Sequence, residues 1–127
     1  MSQKTVLLVE DEDNIALALT HLIGRAGYTL RREATGNAAL DALRDERPDL
    51  VVLDVMLPER SGYEICEIIR RDPDLAGIKV LMITAGGGDV ERRKGLAVGA
   101  DAFMTKPFAT ADLTARITEL LGEDGDD

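Results

Sequence analysis

The sequence alternates five times between a short apolar run and a stretch with helical spacing. Three of the runs are rich in branched residues and are bounded by acids, Pro, Gly or Thr: Val6–Val9, Leu50–Leu53 and Val80–Ile83. Two weaker candidates are Thr29–Arg32 and Ala102–Met104. Continuous apolar runs of this length are typical of parallel strands that are buried on both faces. We therefore predict five strands, each followed by a helix.

The stretches between these runs carry apolar residues at helical spacing. The first helix has one apolar face, formed by Ile15, Leu19, Leu22, Ile23 and Ala26. We expect Asp13 or Asn14 to cap its N-terminus and Gly27 to end it. The fourth helix, Val90–Val98, is the weakest because it contains Gly95, and an interior glycine costs about 1 kcal/mol relative to alanine. We therefore expect the fourth helix to be the most mobile element.

Alternating strands and helices predict an α/β fold in which a parallel sheet carries helices on both faces. Right-handed crossovers leave few topologies for such a chain. In these sheets a ligand binds beyond the carboxyl ends of the strands, at the point where the strand order switches. The residues that follow each apolar run are therefore the first candidates for a functional site.

The composition fits one globular domain. The chain has 127 residues, of which 45% are hydrophobic and 31% charged, and this balance argues against disorder. We predict that the domain occupies residues 1–122, and that residues 123–127 are an acidic tail, either a natural terminus or the start of a linker. The net charge of −9 disfavours direct nucleic-acid binding, since affinity for a phosphate backbone comes mainly from basic clusters.

Several features favour a cytoplasmic protein. No apolar run approaches the roughly 20 residues of a membrane span, so we expect no membrane insertion. The apolar stretch near the N-terminus meets acids at Glu10, which is too soon for the core of a signal peptide. Cys66 is the only cysteine, which rules out an intramolecular disulfide and fits a reducing compartment.

Charged and polar side chains follow four of the predicted strands. Glu10 and Asp11 follow the first strand, Asp54 the third, Thr84 the fourth and Lys106 the fifth. Because these strand ends converge on one edge of the sheet, the three carboxylates would lie close together, and their repulsion would raise their pKa values. A hard divalent cation relieves such repulsion, and oxygen ligands suit Mg²⁺, or Mn²⁺ in its place.

The formal charges of this predicted site balance, because three carboxylates would face one divalent cation and the ammonium of Lys106. A balanced site of this kind suits phosphoryl transfer, in which a protein mainly positions groups and neutralises charge. Aspartate is a known phosphoryl acceptor that forms an acyl phosphate. Thr84 and Lys106 can each donate a hydrogen bond to a non-bridging phosphoryl oxygen.

Four segments carry these residues. They read LLVEDED, LVVLDVMLPERSGYEI, VLMITA and GADAFMTKPF, and they lie within residues 7–108. Together they resemble the receiver domain of response regulators, the phospho-acceptor module of two-component signalling, over essentially the whole chain. The resemblance implies a flavodoxin-like, doubly wound (βα)5 fold with a five-stranded parallel sheet in the order 2-1-3-4-5.

The resemblance also implies a role for each candidate residue. Asp54 resembles the phosphorylated aspartate, Thr84 matches the switch hydroxyl, and Lys106 matches the lysine that contacts the phosphoryl group. The implied metal ligands are Glu10, Asp11, Asp54 and the backbone carbonyl of Met56. Phe103 occupies the switch-aromatic position, although it lacks the hydroxyl of the commoner tyrosine. The peptide bond between Lys106 and Pro107 is expected to be cis.

The implied function is a signalling switch rather than a turnover enzyme. A sensor histidine kinase, a phosphotransfer protein or a small phosphodonor would phosphorylate Asp54, and the acceptor would later lose the group by autodephosphorylation. Thr84 would move inward, and Phe103 would rotate into the space behind it. These movements would repack the face formed by the fourth helix, fifth strand and fifth helix, which would bind a downstream protein. The resemblance leaves open a phosphorylation-dependent dimer.

Three alternatives remain. The chain could be a receiver fragment of a larger transcription regulator or output enzyme. It could be a Mg²⁺-dependent aspartyl-phosphate phosphatase, but such enzymes need an acid two residues after the nucleophile, where this chain has Met56. It could be a flavin-binding module of the same topology, but that would need a phosphate loop rich in Ser, Thr or Gly where this chain has the acids of residues 10–13.

Overall fold

The computed structural model describes residues 3–86 and 88–122 as a parallel sheet covered by helices on both faces. The strands are β1 (Thr5–Val9), β2 (Thr29–Glu33), β3 (Leu50–Asp54), β4 (Lys79–Thr84) and β5 (Ala102–Thr105). The helices are α1 (Asp13–Arg25), α2 (Gly36–Asp45), α3 (Gly62–Arg71), α4 (Asp89–Ala97) and α5 (Thr110–Leu121). The predicted alternation of strands and helices is confirmed.

The sheet has the strand order β2-β1-β3-β4-β5, which confirms the flavodoxin-like, doubly wound fold. The chain moves outward from β1 to β2 and then returns across β1 to β3, so the strand order switches at β1. Val9 at the end of β1 pairs with Leu53, and Asp54 pairs with Ile83 of β4. This register brings the carboxyl ends of β1, β3 and β4 side by side, at the edge where a ligand site is expected.

The core has two layers, one on each face of the sheet. One layer packs the sheet against α2 and α3, with fully buried side chains that include Leu43, Ile65 and Ile69. The other packs the sheet against α1 and α5, with side chains that include Ile23, Leu113 and Ile117. Each such side chain contributes roughly 1.5–3 kcal/mol of hydrophobic stabilisation. The central strand β3 is buried along its whole length, so the strand that carries Asp54 is held rigidly from both sides.

The start of α1 differs from the prediction. The residue that caps the helix is Glu12, and its side chain makes no capping hydrogen bond, so the expected cap at Asp13 or Asn14 is wrong. The carboxylate of Asp13 instead faces β2, where its Oδ1 atom lies 3.1 Å from Nη2 of Arg32. An acid in the first turn still interacts favourably with the helix dipole. A contact with a strand distant in sequence therefore decides the direction of this side chain.

The helix ends follow the sequence more closely. Gly27 lies just beyond α1 with a φ of 101°, and Gly122 follows α5 with a φ of 67°. Both are left-handed conformations that glycine adopts without a steric penalty. None of the described helices is long and apolar enough to cross a membrane. The predicted acidic tail, residues 123–127, lies outside the described residues.

Helix α4 is attached to the rest of the fold by few side chains. Gly95 is its only buried residue, and Val90 is 67% exposed. On the side that faces α3, the ammonium of Lys94 lies 4.6 Å from the centre of the Tyr63 ring, a cation–π contact. The mobility that we expect for α4 stays a prediction, but a helix with so little buried surface needs little free energy to open locally.

Candidate functional site

The candidate residues meet at the carboxyl edge of the sheet. Asp54 is the last residue of β3 and Thr84 the last residue of β4, so each belongs to a strand rather than to the loop that follows. Glu10 comes directly after β1, and Lys106 comes directly after β5. A backbone hydrogen bond joins the ends of β4 and β5, since the N–H of Lys106 donates to the carbonyl of Thr84 at 2.8 Å.

Three carboxylates form one cluster at this edge. Glu10, Asp11 and Asp54 each offer an oxygen, and these three atoms all lie within 4.8 Å of one another. Glu10 is 3% exposed and Asp54 7% exposed, whereas Asp11 is open to solvent. Like charges at this separation repel strongly where water is excluded. The cluster therefore needs positive charge from another source.

Lys106 supplies part of that charge. Its Nζ atom lies 3.2 Å from Oε1 of Glu10 and 3.8 Å from Oδ2 of Asp54. One ammonium against three carboxylates leaves the cluster with an excess of negative charge. The donor set consists of carboxylate oxygens, which are the ligands that Mg²⁺ and Mn²⁺ prefer. The residues present therefore fit a hard divalent cation, because such an ion would offset the remaining charge.

Asp54 is buried next to a like charge. Burial, followed by the charge of Glu10, raises the pKa of Asp54 from 3.8 to about 6. Lys106 and a hydrogen bond from the backbone N–H of Met56 to Oδ1, at 3.3 Å, oppose this rise in pKa. Asp54 is thus ionised in most molecules above neutral pH, but at a cost in folding free energy.

Thr84 and Phe103 are two further buried candidates. Thr84 is 3% exposed and also lines a groove of about 470 Å³, together with Met56, Tyr63 and Val90. Phe103 is 8% exposed and belongs to the core layer that contains Met82, its partner in the β4–β5 register. The phenyl ring is therefore already packed inside the protein. The inward rotation expected for Phe103 therefore does not start from an exposed ring in this structure.

The loops next to the site have two further features. The peptide bond between Lys106 and Pro107 is cis, as the sequence resemblance implied. Gly62, the first residue of α3, lies against the backbone of Asp54, and its N–H donates to the carbonyl of Val55 at 2.9 Å. The start of α3 thus supports the strand end that carries Asp54.

Three residues that matter to this region were not predicted from the sequence. Arg32 stood only in a weak strand candidate, Gly62 had no role, and Gly95 counted only as a weakness in its helix. For Gly62 the signal was a glycine at the start of a helical stretch, because a residue without a Cβ permits a close approach of the backbone. For Arg32 the sequence contains no such signal, because one partner lies directly after β1 and the other lies in α1.

The comparisons with known proteins agree with this geometry. A model of the response regulator receiver domain matches residues 6–118. The alkaline phosphatase synthesis transcriptional regulatory protein PhoP of Bacillus subtilis (strain 168) is 38% identical over 118 residues, which are 93% of this chain and 48% of that protein. The chain spans about half the length of the curated relatives that it matches.

Solved structures share the fold. A response regulator from Chloroflexus aurantiacus J-10-fl matches with a TM-score of 0.92 and 34% identity, covering 96% of this chain and 100% of that one. The chemotaxis response regulator CheY4 of Vibrio cholerae matches with a TM-score of 0.88 and 28% identity, covering 94% and 99% of the two chains. Sequence, fold and site geometry together show that this chain belongs to the response regulator receiver domain family.

Proposed function

We propose that the chain is a phosphoryl-accepting switch in which Asp54 is the acceptor. The observation that carries this proposal is the convergence of three groups at one edge of the sheet. They are a buried carboxylate on Asp54, an ammonium on Lys106 and the acidic pair of Glu10 and Asp11. The donor is a phosphohistidine of a sensor histidine kinase or phosphotransfer protein, or a small phosphodonor.

The acceptor site fits a divalent ion. The groups that would hold the ion are the carboxylates of Glu10, Asp11 and Asp54 and the backbone carbonyl of Met56. When bound, Mg²⁺ or Mn²⁺ neutralises charge on the phosphoryl oxygens and orients the transferring group. The fit rests on the hard oxygen donors and on the excess negative charge that Lys106 alone does not offset.

The residues of the chain carry the transfer itself. The carboxylate of Asp54 attacks phosphorus in line, so a P–O bond forms while the P–N bond to the donor histidine breaks, and the departing imidazole takes a proton from solvent. With a pKa of about 6, Asp54 is mostly in its nucleophilic form at pH 7.5. Lys106, held by Glu10, lies close enough to donate to a phosphoryl oxygen, and the Thr84 hydroxyl donates to another.

Phosphorylation then changes the face formed by α4, β5 and α5. The ring of Phe103 lies against α4 at the one position without a side chain, Gly95. We infer that the buried ring is the arrangement stabilised when Thr84 binds the phosphoryl group. The phosphoryl group then acts as a ligand that raises the population of an existing conformation, the one with the buried Phe103 ring, and does not create a new one.

Gly95→Ala should expel the Phe103 ring. An added Cβ would lie 2.8 Å from Cδ2 and 2.9 Å from Cε2 of that ring, which is too close for van der Waals contact. The ring can rotate outward, at a cost of roughly 1.5–3 kcal/mol of buried apolar surface, partly offset by about 1 kcal/mol of helix propensity. Fluorine NMR with fluorophenylalanine should report a solvent-exposed ring at position 103, with Phe108 as the internal reference. A ring that stays shielded would show that the helix yields instead and that Gly95 makes no room for it.

A second candidate function is favoured by the length of the relatives. Proteins named as transcriptional regulators are about twice as long as this chain. The same switch would then act as the receiver unit of residues 1–122 within a longer regulator, with residues 123–127 beginning a linker. The genomic reading frame around this sequence distinguishes the two arrangements directly.

Two features of the site disfavour the alternative functions, an aspartyl-phosphate phosphatase and a flavin-binding module. Met56, 73% exposed, stands where an aspartyl-phosphate phosphatase needs its acid. The acids that follow β1 would repel a flavin phosphate. Both arguments favour a protein that holds a phosphoryl group as a signal.

Intact mass spectrometry tests the proposal. Incubation with acetyl phosphate and Mg²⁺ should add one phosphoryl group, and a chelator should prevent the addition because the acidic cluster then lacks its cation. The adduct should be released by hydroxylamine, as an acyl phosphate is. A phosphorylated histidine kinase domain serves as a second donor. No mass gain with either donor, or an adduct that resists hydroxylamine, would contradict acceptance on an aspartate.

A further inference from the structure

Arg32, on the edge strand β2, makes two contacts with the loop that carries the acidic pair. Its Nε atom donates a hydrogen bond to the backbone carbonyl of Glu10 at 2.9 Å. Its Nη2 atom is shielded from solvent and makes no hydrogen bond, but it forms an ion pair with Oδ1 of Asp13, 3.1 Å away in the first turn of α1. One guanidinium therefore links β2 to both ends of the segment that contains Asp11.

These contacts complete the positioning of Glu10. Its backbone N–H donates to the carbonyl of Glu33 at 3.0 Å, so β2 holds the residue through its N–H as well as through its carbonyl. Its side chain is fixed on the other side, because Oε1 accepts from Lys106 and Oε2 accepts from the N–H of Glu12 at 3.1 Å. Removing Arg32 would free the carbonyl of Glu10 and the carboxylate of Asp13 together.

We propose that Arg32 is a positioning residue for the divalent-cation site. It touches no acceptor oxygen of the cluster and acts through the backbone of Glu10 and the start of α1. This inference rests on the proposed function, since it assumes that the acidic cluster holds Mg²⁺. Groups that orient metal ligands from outside typically change metal affinity by about 10- to 100-fold when they are removed.

The charge of Arg32 and its positioning role predict opposite changes in Mg²⁺ affinity when the side chain is removed. A positive side chain next to an acidic cluster repels a cation, so its removal should tighten Mg²⁺ binding if charge alone matters. If Arg32 instead holds the ligands in place, its removal should weaken Mg²⁺ binding. The direction of the change therefore separates the two effects.

The neighbouring Arg31 is a matched control. It lies on the same strand but pairs with Glu33 and Asp45, at 2.9 and 3.1 Å, and among the described residues it makes no hydrogen bond or ion pair with the acidic loop. Arg31→Met removes the same charge from the same strand. Any effect common to Arg31→Met and Arg32→Met therefore comes from charge or from loss of β2 stability.

Calorimetric titration of Mg²⁺ into the unphosphorylated protein tests the proposal. Arg32→Met should weaken Mg²⁺ binding by about tenfold or more, while Arg31→Met should bind as the unaltered protein does or slightly more tightly. Arg32→Lys keeps the charge but loses the two-armed contact, so it should lose affinity in the same direction by a smaller factor. Urea unfolding without Mg²⁺ shows whether each variant is folded at the titration temperature. If Arg32→Met is unfolded there, the titration of Arg32→Lys tests the proposal in its place.

The outcomes are distinct. Unchanged or tighter Mg²⁺ binding by Arg32→Met, equal weakening in Arg31→Met, or unaltered affinity in Arg32→Lys would each overturn the role of Arg32 and leave the proposed function standing. Absence of Mg²⁺ binding by the unaltered protein would overturn both the cation site and the role of Arg32.

Discussion

Asp54→Asn is expected to abolish phosphoryl uptake completely and, at the same time, to make the protein more stable at pH 7.5. The loss of uptake follows because an amide oxygen is a poor nucleophile compared with a carboxylate. The gain in stability follows because Asp54 is buried beside Glu10, which makes its negative charge costly. A residue kept for its chemistry and not for the fold should behave in this way.

The pH dependence of this stability difference has a definite sign. The pKa of Asp54 is about 6 in the folded protein and 3.8 as a free side chain, so the folded state holds the proton more tightly. Ionisation therefore costs folding free energy above pH 6, by at most about 3 kcal/mol. Below pH 3.8 both states are protonated and the cost disappears. The advantage of Asp54→Asn should shrink as the pH falls through this range.

Urea unfolding at several pH values measures the difference. Asp41→Asn makes the same chemical change at an exposed position of α2, and it should alter the unfolding free energy by less than about 0.5 kcal/mol at every pH. Added Mg²⁺ should stabilise the unaltered protein more than Asp54→Asn, because a ligand that binds only the folded state raises stability by mass action. Equal stability of Asp54→Asn and the unaltered protein at pH 7.5 would contradict the electrostatic argument.

The sequence predicts the elements of the fold well because their signals are local. Runs such as Leu50–Leu53 have only one environment that suits them, a strand covered on both faces. The structure adds one residue to the end of this run, Asp54, and one to the end of the fourth, Thr84. Polar residues at strand ends are hard to assign from periodicity, because backbone pairing and not hydrophobicity holds them in the sheet.

The candidate site could be predicted because strand ends converge for topological reasons. Glu10, Asp54 and Lys106 are far apart in sequence, yet parallel pairing brings them within ion-pair distance. Contacts that depend on side-chain direction could not be predicted in this way. The partners of Arg32 and the position of the ring against Gly95 are set by packing between distant elements. Their sequence context is unremarkable.

Gly62→Ala is expected to have the second large effect, a loss of about 3 kcal/mol or more in unfolding free energy. An added Cβ would overlap the carbonyl oxygen of Asp54 and lie 2.9 Å from Cα of Val55. Both are buried backbone atoms, one in the last residue of β3 and one in the residue that follows it, so neither can rotate away as a side chain would. The fold must separate the start of α3 from the end of β3, which would also break the hydrogen bond from Gly62 to Val55.

This separation should also slow phosphoryl uptake in the molecules that remain folded. Asp54 would move relative to Lys106, and a misplacement of about 1 Å can cost on the order of 100-fold in rate. The matched control is Gly24→Ala in α1, where an added Cβ meets nothing within 4 Å. That change should stabilise the protein by up to about 1 kcal/mol through helix propensity. The rate of mass gain with acetyl phosphate should be unaltered in Gly24→Ala and reduced in Gly62→Ala. Equal stability of the two variants would mean that α3 and β3 can separate freely, and that the close approach at Gly62 does not hold Asp54 in place.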